Sequence, residues 1–384
     1  MMGNAMKGNA MKRSHVVGVA AGAALTLALA GCSSSKPADA SSSSAAPAAS
    51  SAAGPASSAG PASSAGPASS AGPASSAGPA SSAPGSSAAA PAKAKKNYNI
   101  SFIQGVAGDN FYITMDCGIQ AEAKKLGVTV KTQGPAKFDA TLQKPILDSV
   151  VQTKPDAILI APTDVKAMQA PLAAAAQAGI KLVMVDTTVS DPSIAASQVA
   201  SDNNGGGAAA FKAIKELAPK GGKVLVISVK PGISTTDARV AGFNDAVKAD
   251  PTFKNLGVQF DNDDPTTAAQ VVAAALQKDP DIVGIFATNL FSAEGSATGV
   301  RQAGKGGQVK IVGFDAGPAQ IKDLKDGTVQ ALVAQQPGTI GTDGLDQAIA
   351  ALDGGTVKAK IQTGFSIITK DNVEGTKDAY KAAC

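Results

Sequence analysis

Residues 97–384 read as an α/β fold made of two doubly wound, mostly parallel sheets. Three observations lead there. Short apolar, β-branched runs alternate with Ala-, Lys- and Gln-rich stretches of helical spacing along almost the whole region. The strand-like runs number nine, enough for two sheets with a core each. Polar residues recur just past the ends of these runs, where open α/β sheets hold their ligands.

In chain order the strand-like runs are 99–104, 128–132, 157–160, 181–185, 223–228, 258–260, 282–287, 309–313 and 329–334. Their near-continuous apolar character suits strands covered on both faces. The stretches between them carry helical stripes, such as Leu345, Ile349 and Leu352. A TIM barrel is the alternative, but a polar break near residues 201–207 serves it poorly.

Two segments precede this region. Lys7, Lys12 and Arg13 form a positive n-region, and residues 16–30 are apolar and uncharged. That run is short for a membrane span, which needs about 20 residues. It ends in Leu29-Ala30-Gly31-Cys32, which resembles the lipobox of bacterial lipoproteins. The resemblance implies removal of residues 1–31, acylation of Cys32 and a lipid-anchored protein on the outer face of the cytoplasmic membrane. An ordinary cleaved signal with a chance cysteine is the other reading. Residues 32–96 are nearly all Ser, Ala, Pro and Gly, with Gly-Pro-Ala-Ser-Ser-Ala repeating from Gly54, Gly60, Gly66, Gly72 and Gly78. Without large apolar side chains such a segment is expected to be a disordered stalk. As a flexible coil of about 60 residues it would span roughly 40–45 Å.

Composition then excludes several classes of function. Seven of the 34 basic residues and one of the 30 acidic residues precede Asn97, which leaves 27 against 29 and a formal charge of −2. No basic surface for nucleic acid is expected. The one histidine, His15, lies in the signal, so histidine-based catalysis and histidine metal sites are excluded from the mature chain. No metal or cofactor is expected. Once Cys32 is acylated, Cys117 and Cys384 remain, an even number for an oxidising compartment. A disulfide clamping the C-terminus onto the first predicted helix is favoured over a buried free thiol with a frayed end.

The polar residues past the strands include Asp109, Asp186, Arg239, Asn289, Asp315 and Gln335. Singly, each suits a helix cap or turn; together, they would converge on a cleft between two facing sheets. Several segments carry a resemblance: Asp109-Asn110-Phe111-Tyr112, Ala161-Pro162-Thr163-Asp164, Val185-Asp186-Thr187, Ser201-Asp202-Asn203, Ala238-Arg239-Val240-Ala241-Gly242-Phe243, Phe286-Ala287-Thr288-Asn289 and Val312-Gly313-Phe314-Asp315. In this order and spacing they resemble the type I periplasmic binding proteins of sugar transporters, the ribose-binding family and its relatives. The resemblance covers essentially all of the folded region.

It implies two Rossmann-like lobes with a three-crossover hinge: 97–201 plus 336–364, and 202–335 plus 365–384. It also implies ligand-binding roles for Asp109, Phe111, Tyr112, Asp186, Thr187, Arg239, Asp263, Asn289, Asp315 and Gln335. Carboxylates and amides would bond sugar hydroxyls, and the two aromatic rings would face the sugar's C–H side. There are two departures from the ribose binders. Thr187 stands where they have arginine, and Asp263, within Asp261-Asn262-Asp263-Asp264, aligns near an aromatic position. Ribose is therefore disfavoured against another monosaccharide or a sugar alcohol, with an amine-bearing ligand left open. The acidic stretch has a second reading, a solvated loop before a helix at Pro265. The expected function is solute capture by hinge closure for an ABC permease, by a monomer, without catalysis. A ligand sensor presenting its closed form to a membrane signalling partner is the alternative. Hydrolysis by the clustered aspartates is disfavoured because hydroxyl recognition already explains them.

Overall fold

The structure, a computed structural model, describes residues 93–384. The signal, Cys32 and the stalk up to residue 92 lie outside the described residues. Residues 93–96, assigned to the stalk above, rest on the first lobe. The Ala94 amide donates to the Leu126 carbonyl, and the Lys95 amide to the Asp353 carboxylate.

The first sheet contains β1 (Asn99–Ile103), β2 (Thr129–Gln133), β3 (Ala157–Ile160), β4 (Lys181–Val185), β5 (Ser197–Ser201) and β11 (Lys360–Thr363). All run parallel, in the order β11-β5-β4-β3-β1-β2. Strand alternation sends successive side chains to opposite faces. Thus Ala157 and Leu159 of β3 join one core with Met115 and Ile119 of α1 (Asn110–Leu126) and Leu345 of α9 (Pro337–Asp353). Ile158 and Ile160 join another with Leu147 of α2 (Ala140–Gln152) and Leu172 of α3 (Gln169–Gln177).

The second sheet contains β6 (Gly222–Ser228), β7 (Phe253–Phe260), β8 (Ile282–Ala287), β9 (Lys310–Phe314), β10 (Ala331–Gln335) and β12 (Phe365–Thr369). Its order is β12-β10-β9-β8-β6-β7, with β12 alone antiparallel. α4 (Asn203–Leu217) and α5 (Ser234–Lys248) cover one face over an aromatic core of Phe211, Phe243, Phe253, Phe286 and Phe314. α6 (Pro265–Lys278), α7 (Leu290–Gln302) and α8 (Pro318–Asp326) cover the other.

Two open sheets exclude the barrel. The polar break near 201–207 is the point where the chain leaves β5 and starts α4. Three strands escaped the sequence analysis, β5, β11 and β12. β11 is an edge strand of the first sheet with β5 next to it, and β12 is an edge strand of the second. β5, for example, has only Val199 as a large apolar residue.

The chain passes between the sheets between β5 and α4, again between β10 and α9, and finally between β11 and β12. Side chains tie these passages together. The Ser201 hydroxyl donates to Gln335 Oε1 at 2.7 Å, and the Asp202 amide donates to the Thr363 carbonyl at 3.0 Å. The lobes also touch across the cleft mouth: the Val165 amide donates to the Gly232 carbonyl, and the Thr188 amide to Ser234 Oγ, each at 2.9 Å. The resemblance implies that all of 365–384 belongs to the second lobe; the chain end instead lies on α1, where Cys384 is bonded to Cys117.

Candidate functional site

The C-terminal ends of both sheets face a cavity with about 400 Å³ of empty space, the open solvent at its mouth included. The structure brings nine of the ten predicted residues to its wall: Asp109, Phe111, Tyr112 and Asp186 from the first lobe, Arg239, Asp263, Asn289 and Asp315 from the second, and Gln335 at the hinge.

Local backbone geometry explains how they get there. Asp186, Asp263 and Asp315 all have positive φ, at 65°, 61° and 79°. This left-handed turn suits Asp better than most residues and swings the carboxylate off its strand end into the cleft. Asp109 and Asn289 combine two roles that the sequence analysis set against each other. Each accepts a bond from a helix N-terminus, from the Phe111 amide at 2.7 Å and the Ser292 amide at 3.1 Å respectively, and each also lines the cavity. The acidic stretch divides similarly. Asp261 is fully buried and accepts the Ser292 hydroxyl, Asp263 faces the cavity, and Asp264 caps α6.

The cavity wall carries one cation, Arg239, beside four carboxylates. Arg239 is 3% exposed; its Nε donates to Asn203 and one terminal nitrogen donates to the Thr288 carbonyl. Its guanidinium carbon lies 3.8 Å from the centre of the Phe314 ring, so the aromatic core supports the charge from below. Burial pushes the Asp186 carboxyl up to about 6, against the opposing pull of Arg239 and a 2.7 Å bond from the Tyr112 hydroxyl. Burial likewise brings Asp263 to about 6, opposed by the Asn289 amide, which donates at 2.6 Å. Asp315 is raised by burial and restrained by Arg239, Gln335 and Tyr380. Asp109 is driven well above the usual carboxylate range, first by burial and then by the charge of Asp315. Desolvation is thus the leading cause in all four.

Thr187 does not reach the cavity. Its side chain is buried, and its hydroxyl donates to the Pro162 carbonyl at 2.7 Å. Five lining residues went unnoticed in the sequence: Phe138, Val229, Ile233, Thr235 and Thr236. Four of them lie between the end of β6 and the first turn of α5, where apolar and hydroxyl side chains carry no chemical signature. Phe138 is a lone aromatic just before the Asp139 cap of α2, and its sequence position is equally uninformative.

The periplasmic binding protein domain model matches residues 100–356. The ribose import binding protein of Salmonella typhimurium is 34% identical over 284 residues, covering 73% of this chain and 93% of that protein. The chain belongs to the type I periplasmic sugar-binding protein family. Solved structures agree. An ABC transporter solute-binding protein from Agrobacterium vitis, bound with alpha-D-tagatopyranose, is 40% identical with a TM-score of 0.73, covering 74% of this chain and 100% of that one. A carbohydrate-transporter solute-binding protein from Agrobacterium radiobacter, in complex with D-arabinose, is 30% identical with a TM-score of 0.70, covering 73% and 97%. These relatives are transport proteins that bind solutes, not enzymes, and the family is extracytoplasmic.

Proposed function

We propose that the protein captures a neutral monosaccharide or sugar alcohol and delivers it to an ABC permease. The observation that carries this reading is the mixed wall of the cavity. Four carboxylates, one guanidinium and two amides offer acceptors and donors in both lobes, while Phe111, Tyr112 and Phe138 offer apolar surface. A polyhydroxyl ring needs both kinds of contact at once. Burial holds all four carboxyls above their ordinary range, which weakens the cleft's pull on a cation and favours a neutral ligand. The tagatose- and arabinose-bound relatives support the same ligand class. The two departures from the ribose binders, at Thr187 and Asp263, count against ribose.

The moving bodies in this reading are 97–201 with 336–364 and 202–335 with 365–369, rotating about the three passages to close on the ligand. Cys32 and the stalk would hold the trap near its permease from the outer face of the membrane.

A thermal-shift screen against neutral aldoses, ketoses, polyols and amino sugars tests the ligand class. A ligand at one hundred times its dissociation constant adds about 2.7 kcal/mol of stability. Neutral compounds should raise the melting temperature, and Arg239→Ala or Asp315→Ala should abolish the rise. Hits confined to amines would refute the reading. For the anchor, labelled palmitate should enter the protein in cells and fail to enter Cys32→Ser.

A further inference from the structure

Residues 370–384 join the lobes by a route separate from the three backbone passages. β12 starts at the hinge, where Phe365 pairs with Gln335, and runs away from it to Thr369. The chain then doubles back along the second lobe. Glu374 pairs with Lys325 of α8, Asp378 accepts the Ser366 hydroxyl, and the Tyr380 amide donates to the Ala316 carbonyl. One residue later it is on the first lobe. The Lys381 amide donates to Thr114 Oγ1 of α1, the Lys381 carbonyl accepts from Asn110, and Cys384 is bonded to Cys117.

Tyr380 stands at this crossing, 6% exposed and outside the cavity wall. It touches three residues that form the wall. Its hydroxyl donates to Asp315 Oδ1 at 3.0 Å and accepts the Gln335 amide at 3.0 Å, and its ring meets Phe111 edge-on at 5.9 Å. Asp315 Oδ1 also receives Gln335 Nε2 at 2.7 Å, so two donors fix one carboxylate oxygen. The residues after Tyr380 are exposed. A short exposed terminus frays unless it is tied down, and the disulfide ties this one.

We propose that residues 370–384 form a strap, closed by the Cys117–Cys384 disulfide, that holds Tyr380 as a positioning residue for Asp315 and Gln335. Ligand capture then depends on the strap being closed. The ligand readout rests on the sugar-capture reading, whereas the structural readout does not.

The test compares wild type, Tyr380→Phe, the Cys117→Ser/Cys384→Ser pair, and folded wild type reduced with dithiothreitol. D-tagatose is the calorimetric probe, and exchange of the Gln335 amide is followed without ligand. Loss of a hydrogen bond to a charged group predicts affinity weakened about tenfold or more in Tyr380→Phe, with faster Gln335 exchange. The cysteine pair or reduction should do the same, and Tyr380→Phe should add little on top of an open strap. In Tyr380→Phe the pH below which affinity falls should move upward, because Asp315 loses a donor that favours its ionised form. Wild-type affinity with an unmoved pH profile in Tyr380→Phe would overturn the proposal. So would full affinity and unchanged Gln335 exchange in reduced protein. If wild type binds neither D-tagatose nor the other screened sugars, the sugar reading fails, and Gln335 exchange alone decides the strap.

Discussion

Gln335 Nε2 donates to Asp315 Oδ1 at 2.7 Å while its Oε1 accepts the Ser201 hydroxyl, also at 2.7 Å. One buried amide therefore links two of the hinge passages to a carboxylate of the cavity wall. Gln335→Ala should destabilise the protein by about 1–3 kcal/mol through unsatisfied buried partners, read by urea unfolding, and should also weaken sugar binding. Ser201→Ala removes the hinge bond but leaves the Asp315 contact, so it should lower stability while largely sparing affinity. Equal affinity losses in both variants would show that the hinge bond, not the Asp315 contact, governs capture.

Arg239 stacks on Phe314 and bonds Asn203 and the Thr288 carbonyl with separate nitrogens. A lysine ammonium keeps the charge but loses the flat face and the forked donors. Arg239→Lys should therefore lose at least about tenfold in sugar affinity, given the roughly 1.5–3 kcal/mol worth of a charged hydrogen bond. Calorimetry at pH 7 checks this, and wild-type affinity would show that charge alone suffices.

The sequence made the architecture legible where burial on both sheet faces leaves continuous apolar runs, as in β3 with its Ala-Ile-Leu-Ile. It hid strands that cover little core and keep polar residues, such as β11, Lys-Ile-Gln-Thr, at an edge of the first sheet. The cavity was legible at strand ends that carry a charged or amide residue, since placement and chemistry coincide there. It was illegible at Val229, Ile233, Thr235 and Thr236, whose contribution is only a position in space. Thr187 shows the converse, a residue in a matching motif whose hydroxyl satisfies a backbone carbonyl instead.

The raised carboxyls make stability depend on pH in a defined direction. Asp186 and Asp263 sit at about 6 in the folded protein, above their ordinary value of 3.8. Between those values the folded state binds more protons than the unfolded one, so stability falls as pH rises from about 4 to about 6. The ligand-free protein should melt higher at pH 5 than at pH 7, and Asp186→Asn should flatten the difference. For Asp186 the full effect is on the order of 3 kcal/mol. Sugar affinity should run the opposite way if ionised Asp186 accepts a ligand hydroxyl, weakening as pH drops below about 6. Melting curves and calorimetry across this window measure both, and a ligand-free melting temperature that rises toward pH 7 would contradict the first.

α4 and α5 approach so closely that a Cβ at Gly207 would overlap the carbonyl oxygen of Arg239, a backbone atom unable to move aside alone. Gly207→Ala should therefore cost about 1–3 kcal/mol as an overpacked contact, and it should push α5, with its Arg239, away from the cavity. Gly105 offers a contrast. A Cβ there would overlap the Tyr112 hydroxyl and the Phe138 ring, both side chains of the cavity wall. Those tips have more freedom to shift than backbone, so Gly105→Ala should lose less stability than Gly207→Ala. It should still disturb the Tyr112 bond to Asp186 and cost sugar affinity. Comparing unfolding free energy with dissociation constant for the two variants separates the effects, and equal stability losses would mean that the first lobe's wall is as rigid as the packed helix pair.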